Sequence, residues 1–459
     1  DDALPTEAEA IEELLLCASE GSLDALHALR DIDTSLLLQK GPSKWTLLHM
    51  CCWRGYLSLV ESLLAIDGID INAQTSAGFT PLILACQKGH EDVVALLLQH
   101  PAKVNLLTNE GRNALSYACA EGHAGVVSIL LSHTGEQVGV NNSSSMGWTP
   151  LHWACWKGGL AVVDALLSLA GEKLDVGALT AIVEEHPLPS GYGAVLLYHL
   201  AGLPPIGLAA HAGKDAIVAA LLGRCRVEDL CLNALNRTGM STVAVAAAKY
   251  RCKVVHLLLE LPPEHVDLHA GNVPCLSAAI QRKVSPVIEE LLQLPAERFD
   301  LNYRTTALQK TPLMEACGQA MDSKTVALLL DQAHRIDLDA RDIGGRTAMH
   351  YAATADRNPR QLGIAVRKLL QHGADPNARD KAGRTPVMLS FTRCPTILRR
   401  AANPFLELRP ELIALNAADN EGMTALMYAS RPSRFGHSKM DECRLEALRQ
   451  LLEKASLYD

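Results

Sequence analysis

No stretch of eighteen apolar residues occurs in this 459-residue chain, and no basic, apolar and small-residue leader opens it. Nothing therefore argues for a membrane span or for secretion, and a cytoplasmic or nuclear location is expected. The phrases that carry chemistry are missing too: there is no G-x-S-x-G, no G-x-x-x-x-G-K-S/T, no H-E-x-x-H and no C-x-x-C pair. Without a nucleophile elbow, a phosphate loop or a zinc motif, the expectation is a chain that is not an enzyme and uses no cofactor and no metal. Aromatic residues are scarce, at 4%, so the places that hold them are informative.

What the sequence has instead is one phrase written many times. Residues 147–159 read GWTPLHWACWKGG, and looser copies open at Thr46, Thr80, Asn113, Thr149, Pro204, Ser241, Pro274, Thr311, Thr347, Thr385 and Thr424. The steps between them are 34, 33, 36, 55, 37, 33, 37, 36, 38 and 39 residues. Most copies are followed by an apolar run such as VVALLLQ, and several then by an Asn, as at Asn72, Asn105, Asn302 and Asn377.

Each part of the phrase has a physical task. A Thr hydroxyl accepts a backbone N–H at a helix start, and Pro at the next position gives up only a donor that is unpaired there anyway. Ala and Cys beyond the His let this first helix pack closely, and Gly breaks it. The VVxxLLL run is the apolar stripe of a second helix, which no single unit can bury alone, so neighbouring units must stack. Thirteen cysteines do not imply disulfides on this reading. Cys52, Cys86, Cys119, Cys155 and Cys317 recur at one place in successive helices, where a small reduced core thiol fits, and Cys51, Cys225 and Cys231 are expected to be buried small residues too. His49, His152 and His350 all take the fourth place of the phrase and are expected to bond backbone between adjacent repeats rather than to hold a metal.

These motifs resemble the ankyrin-repeat family, best at 78–105 and 147–169, and the likeness covers nearly the whole chain. The resemblance implies an all-α solenoid of stacked helix pairs joined by hairpin-like loops, about twelve repeats long with its caps. The expected layout is a capping repeat at 1–40, repeats at 41–170, an irregular insertion at 171–203 in the long fourth step, more divergent repeats at 204–440 and a capping helix at 441–459. Two short helical segments, LTAIVEE and AVLLYHL, are expected inside the insertion.

Residues 1–200 carry 9 Lys and Arg against 23 Asp and Glu, whereas 201–459 carry 33 against 28, so the two ends would steer different partners. In the ankyrin family, the place before the Thr and the place seven after it line the concave side. Here they hold Trp45 and Trp53, then Phe79, then Trp148 and Trp156, with Arg54, Lys88, Arg112 and Lys157 beside them. Tryptophan with arginine is the composition of an interface hot spot, so these residues are expected to bind a partner protein. A second expectation is a column of positive charge, with Lys310, Arg346 and Arg384 before three successive Thr residues and Arg393 and Arg431 near the same face, suited to an acidic or phosphorylated ligand. Membrane binding and specific nucleic-acid binding are not expected. The resemblance leads to a protein–protein scaffold or adaptor. The alternatives are polyanion binding by the basic C-terminal repeats, or a regulatory repeat region or subunit of a larger enzyme.

Overall fold

The computed structural model describes residues 37–133, 137–169, 173–181, 200–318, 323–354, 359–391, 405, 412–430 and 449. Residues 1–36 of the capping repeat expected at 1–40, the insertion's centre at 182–199 and nearly all of the terminal capping helix lie outside them. Of the two helical segments expected in the insertion, 179–185 and 194–200, all but 179–181, which are not helical, and Leu200 fall there as well. Contacts divide the chain into two compact units, Asp1–Arg237 and Thr238–Asp459.

All eleven copies of the phrase open a helix. In the first unit the helix pairs are α1 (Leu47–Arg54) with α2 (Leu57–Leu64), α3 (Pro81–Lys88) with α4 (Glu91–Gln99), α5 (Ala114–Glu121) with α6 (Ala124–Ser132), α7 (Pro150–Trp156) with α8 (Leu160–Leu169), and α9 (Pro205–Ala212) with α10 (Asp215–Arg224). In the second they are α11 (Thr242–Ala248) with α12 (Cys252–Leu259), α13 (Cys275–Arg282) with α14 (Ser285–Leu292), α15 (Pro312–Gly318) with α16 (Ser323–Leu330), and α17 (Ala348–Thr354) with α18 (Pro359–Gln371), followed by α19 (Pro386–Ser390) and α20 (Ala425–Ser430). Among the described residues the only β features are two isolated bridges. The protein is an all-α solenoid. Within each unit, first helices pack on first helices of the next repeat and second on second.

The starts are built as the phrase requires. The Ile83 N–H donates to the Thr80 hydroxyl at 3.2 Å and the Ser116 N–H to the Asn113 side chain at 2.9 Å, while Pro81, Pro150, Pro205, Pro312 and Pro386 each take the first helical turn. Several of the ends use glycine in the left-handed conformation. Gly89 has φ 79°, and a Cβ there would lie 2.5 Å from the His123 ring, which itself bonds the Gln87 carbonyl at 3.1 Å. Second helices bury their stripe completely: Val93, Val94 and Leu97 of α4 are each 0% exposed. Burying one such side chain contributes about 1.5–3 kcal/mol.

Two ladders hold successive repeats in register. In the outer loops, Asn72 accepts the Lys103 N–H at 2.7 Å and donates to the Pro101 carbonyl at 3.0 Å. Asn105, Asn141, Asn302 and Asn377 make the same two-way clip. At the hairpins, the Ser145 N–H donates to the Glu110 carbonyl and the Ala181 N–H to the Met146 carbonyl. Ordinary hairpins close Thr75 on Phe79, Thr108 on Arg112 and Ser144 on Trp148; the fifth closes Thr180 on Leu203 at 3.1 Å. The extra residues of the long fourth step thus fall, in the sequence, between the two residues that close this hairpin. The Thr180 hydroxyl donates to the Leu200 carbonyl and accepts the Gly202 N–H.

Candidate partner-binding surface

The aromatic residues of the first unit fall into separate local groups, not all of them on the outside. Trp53 is half-buried at the end of α1, with the Arg54 guanidinium 4.7 Å and the Lys88 ammonium 5.1 Å from its ring centre. Arg54, Lys88 and Lys157 are exposed. Trp45 is half-buried with its ring 5.8 Å from that of His49, and Phe79 is half-buried with its ring 5.3 Å from that of Tyr117. Trp156 is half-buried between Trp148 at 6.2 Å and His211 at 5.3 Å.

Two of the expected surface residues are corrected by this packing. Trp148 is only 3% exposed, because its indole lies 4.6 Å from that of Trp153 and against Trp156. The Arg112 side chain is 11% exposed, since its guanidinium is clamped between the rings of Tyr117 at 3.8 Å and Trp153 at 4.0 Å. Both are thus largely covered by neighbouring rings of the same unit. Arg112 follows a rule that the sequence reading missed: the residue before the Thr lies over the fifth residue of the next repeat's phrase. Phe79 on Tyr117, Arg112 on Trp153 and Lys310 on Tyr351 obey it, and an aromatic recurring at that fifth place was the signal.

The expected column of free positive charge is corrected as well. The Lys310 ammonium sits 4.3 Å over the Tyr351 ring. Arg384 pairs with Asp380 at 2.9 Å and Arg346 approaches the same carboxylate at 3.6 Å, while the Asp380 side chain is only 1% exposed. Burial opposes the Asp380 charge, yet the Arg384 side chain and N–H outweigh it and hold the carboxyl below its usual range. These guanidiniums are committed to an internal network. Arg393 and Arg431 lie outside the described residues.

Two of the three histidines bond backbone of the next repeat as expected, and His152 does not. In the first repeat the His49 Nδ1 accepts the Thr46 N–H at 3.1 Å, and Nε2 reaches the Phe79 carbonyl of the next repeat at 3.0 Å. His350 bonds the Thr347 N–H at 3.0 Å and the Arg384 carbonyl at 3.1 Å. His152 makes the first bond, but its Nε2 only points toward the Leu203 and Ala178 carbonyls without completing a hydrogen bond, at the repeat whose hairpin carries the insertion. Burial pushes all three imidazoles below their ordinary value, His152 to about 4.

Cys51, Cys52, Cys86, Cys119, Cys155, Cys275 and Cys317 are buried free thiols, and burial raises all of them, Cys51, Cys275 and Cys317 to about 12. Cys231 is exposed and Cys225 half-buried, which corrects the expectation that both are core residues. Cys231 ends a short 3-10 helix in a left-handed conformation, beyond the reach of the helix-pair core.

Comparison with known proteins agrees with this geometry. A family described as ankyrin repeats, in three copies, matches residues 14–108, 100–178 and 276–380. The chain belongs to the ankyrin-repeat family. Between the second and third matched regions, α9 to α12 keep the helix-pair architecture where the sequence diverges most. Among curated relatives, mouse ankyrin repeat domain-containing protein 63 is 37% identical over 126 residues, 26% of this chain and 30% of the relative. NF-kappa-B inhibitor cactus of Drosophila yakuba is 28% identical over 232 residues, 50% of this chain and 42% of the relative. Mouse cortactin-binding protein 2 is 35% identical over 92 residues, 19% of this chain and 6% of the relative. The chain thus spans less than half of each of these relatives. Ankyrin repeats are protein–protein interaction modules, and no helix among the described residues is long and apolar enough to cross a membrane.

Proposed function

We propose that this ankyrin-repeat chain recognises another protein through the solvent-facing side of its first unit, performs no chemistry itself, and thereby recruits, scaffolds or inhibits that partner. One observation carries the reading: Trp53 keeps part of its ring in solvent with two exposed cations against it, and neither Arg54 nor Lys88 has a carboxylate partner among the described residues. A ring so placed offers apolar area, and its cations offer donors to a partner's carboxylates; such Trp and Arg anchors are typically worth ~2 kcal/mol or more at an interface. Half-buried Trp45, Phe79 and Trp156 and exposed Lys157, in the first, second and fourth repeats of the same unit, extend the surface, while Arg112 and Trp148 pack among the rings of the third and fourth repeats. Relatives that carry the names NF-kappa-B inhibitor and cortactin-binding protein fit a chain whose ligand is a protein.

The test compares proteins retained from a native extract by the wild-type chain and by Trp53→Ala, after lysine-reactive cross-linking. A partner that is cross-linked to Lys88 or Lys157 and lost with Trp53→Ala, while the melting temperature stays within a few degrees, supports the reading. An unchanged set of captured proteins, or a variant that unfolds, refutes it.

A further inference from the structure

The second unit carries a different row of arginines, which the charge-column expectation did not name. The residue just before each hairpin donates from its side chain to the carbonyl of its own counterpart in the next repeat. Arg304 bonds the Arg341 carbonyl, Arg341 bonds the Arg379 carbonyl at 2.6 Å, and Arg379 bonds the Ala418 carbonyl. All three arginines are exposed, and none has a carboxylate partner among the described residues. The neighbouring carboxylates are turned to other tasks: Asp342 accepts the Tyr351 hydroxyl at 2.6 Å, and Asp380 holds Arg384 and Arg346.

The ladder bond itself does not require charge. In the first unit Gln74 occupies the same place and donates to the Leu107 carbonyl at 3.1 Å. Three consecutive guanidiniums therefore exceed what register needs, and each retains N–H groups facing solvent after its ladder bond is made. Beside them, two hairpin tips expose apolar side chains: Leu308 is 47% and Ile343 56% exposed, and the Ile343 N–H bonds the Leu308 carbonyl at 3.2 Å, so the two tips adjoin.

We propose that this face of the second unit binds an extended acidic segment of a protein, with the arginine row taking its carboxylates and the Leu308–Ile343 pair an apolar side chain. Guanidinium forks match carboxylates bidentately. Helices packed in a row stand ~8–10 Å apart and an extended chain rises about 3.3 Å per residue, so the segment presents an acid at roughly every third residue. The exposed apolar pair and the net charge of −9 favour a peptide over nucleic acid, whose interfaces are more polar and more uniformly basic.

The experiment uses the full chain and a fluorescein-labelled fifteen-residue peptide with Glu at every third position and Leu between, read by fluorescence anisotropy at two salt concentrations. Expected is binding that weakens with salt, falls by about tenfold or more in the triple variant Arg304→Gln, Arg341→Gln, Arg379→Gln, and falls in Ile343→Ser. The single variant Arg341→Gln, which keeps a ladder donor as Gln74 does, should show a smaller loss of about threefold. The proposal is overturned by equal affinity in the triple variant, by equal binding of a Lys-for-Glu peptide, or by tighter binding of single-stranded DNA of the same length. A triple variant that melts well below the wild type also overturns it, because the guanidiniums would then be structural.

Discussion

The Arg112 guanidinium lies 4.0 Å from the centre of the Trp153 ring, one repeat further along, and 3.8 Å from the Tyr117 ring of its own repeat. It thereby couples two repeats through a charge that burial has partly removed from water, and that burial lowers the Arg112 pKa. A double-mutant cycle with Arg112→Met and Trp153→Leu is expected to give a coupling of roughly 1 kcal/mol in chemical denaturation. Arg112→Met alone keeps the side-chain stem packed, so its cost should be modest. A coupling indistinguishable from zero would leave the stack as mere proximity.

The buried imidazoles make stability depend on pH, and His152 should dominate. Its folded pKa, about 4, lies below the ordinary 6.5, so the unfolded chain binds more protons between those values. The stabilisation is complete above pH 6.5 and is lost as pH falls toward 4, by roughly 3 kcal/mol for a shift of this size. His49 and His350 act in the same direction. Melting temperatures should therefore fall between pH 7 and pH 4.5, and His152→Gln, less stable at pH 7, should show a shallower slope. A slope unchanged by the substitution would assign the effect to carboxylates instead.

Whatever depends on one residue and its own repeat was legible in the sequence. Thr80 with Pro81 starts a helix, Gly89 ends one, and Asn72 clips a loop, because each acts through local backbone geometry repeated down the chain. What depends on how side chains fold onto one another, within a repeat or across to the next, was not. Trp53 and Trp148 look alike as members of one motif, yet Trp148 is sealed, because the fifth residue of its own phrase is Trp153 and the seventh after Thr149 is Trp156. Likewise Arg384 reads as a free charge until its hairpin folds Asp380 back onto it. The Arg304–Arg341–Arg379 row was missed because its residues precede the hairpin, outside the places that the family pattern singles out.

Exposure also separates the thiols. Among the described cysteines, alkylation of the native chain followed by peptide mapping should label Cys231 first, because it is exposed, and Cys225 more slowly, because burial raises its thiol. Cys52, Cys86, Cys119 and Cys155 should react only after denaturant is added. Native labelling of Cys86 or Cys119 at the rate of Cys231 would contradict the close packing of the first helices.

The two tryptophans of interest should respond in opposite ways. Trp148→Ala removes a ring that is 3% exposed and wedged between Trp153 and Trp156, so it should cost about 3–5 kcal/mol through lost burial and the cavity left behind. Trp53→Ala removes a half-exposed ring whose cationic neighbours are themselves in solvent, so its cost should stay near 1 kcal/mol or below. Both are measured by urea unfolding followed by circular dichroism, with Trp153 left in place as an internal fluorophore. Loss of partner capture in Trp53→Ala at nearly unchanged stability separates recognition from folding. A large stability loss in Trp53→Ala would place that ring in the core beside Trp148 and remove the anchor on which the proposed interface rests.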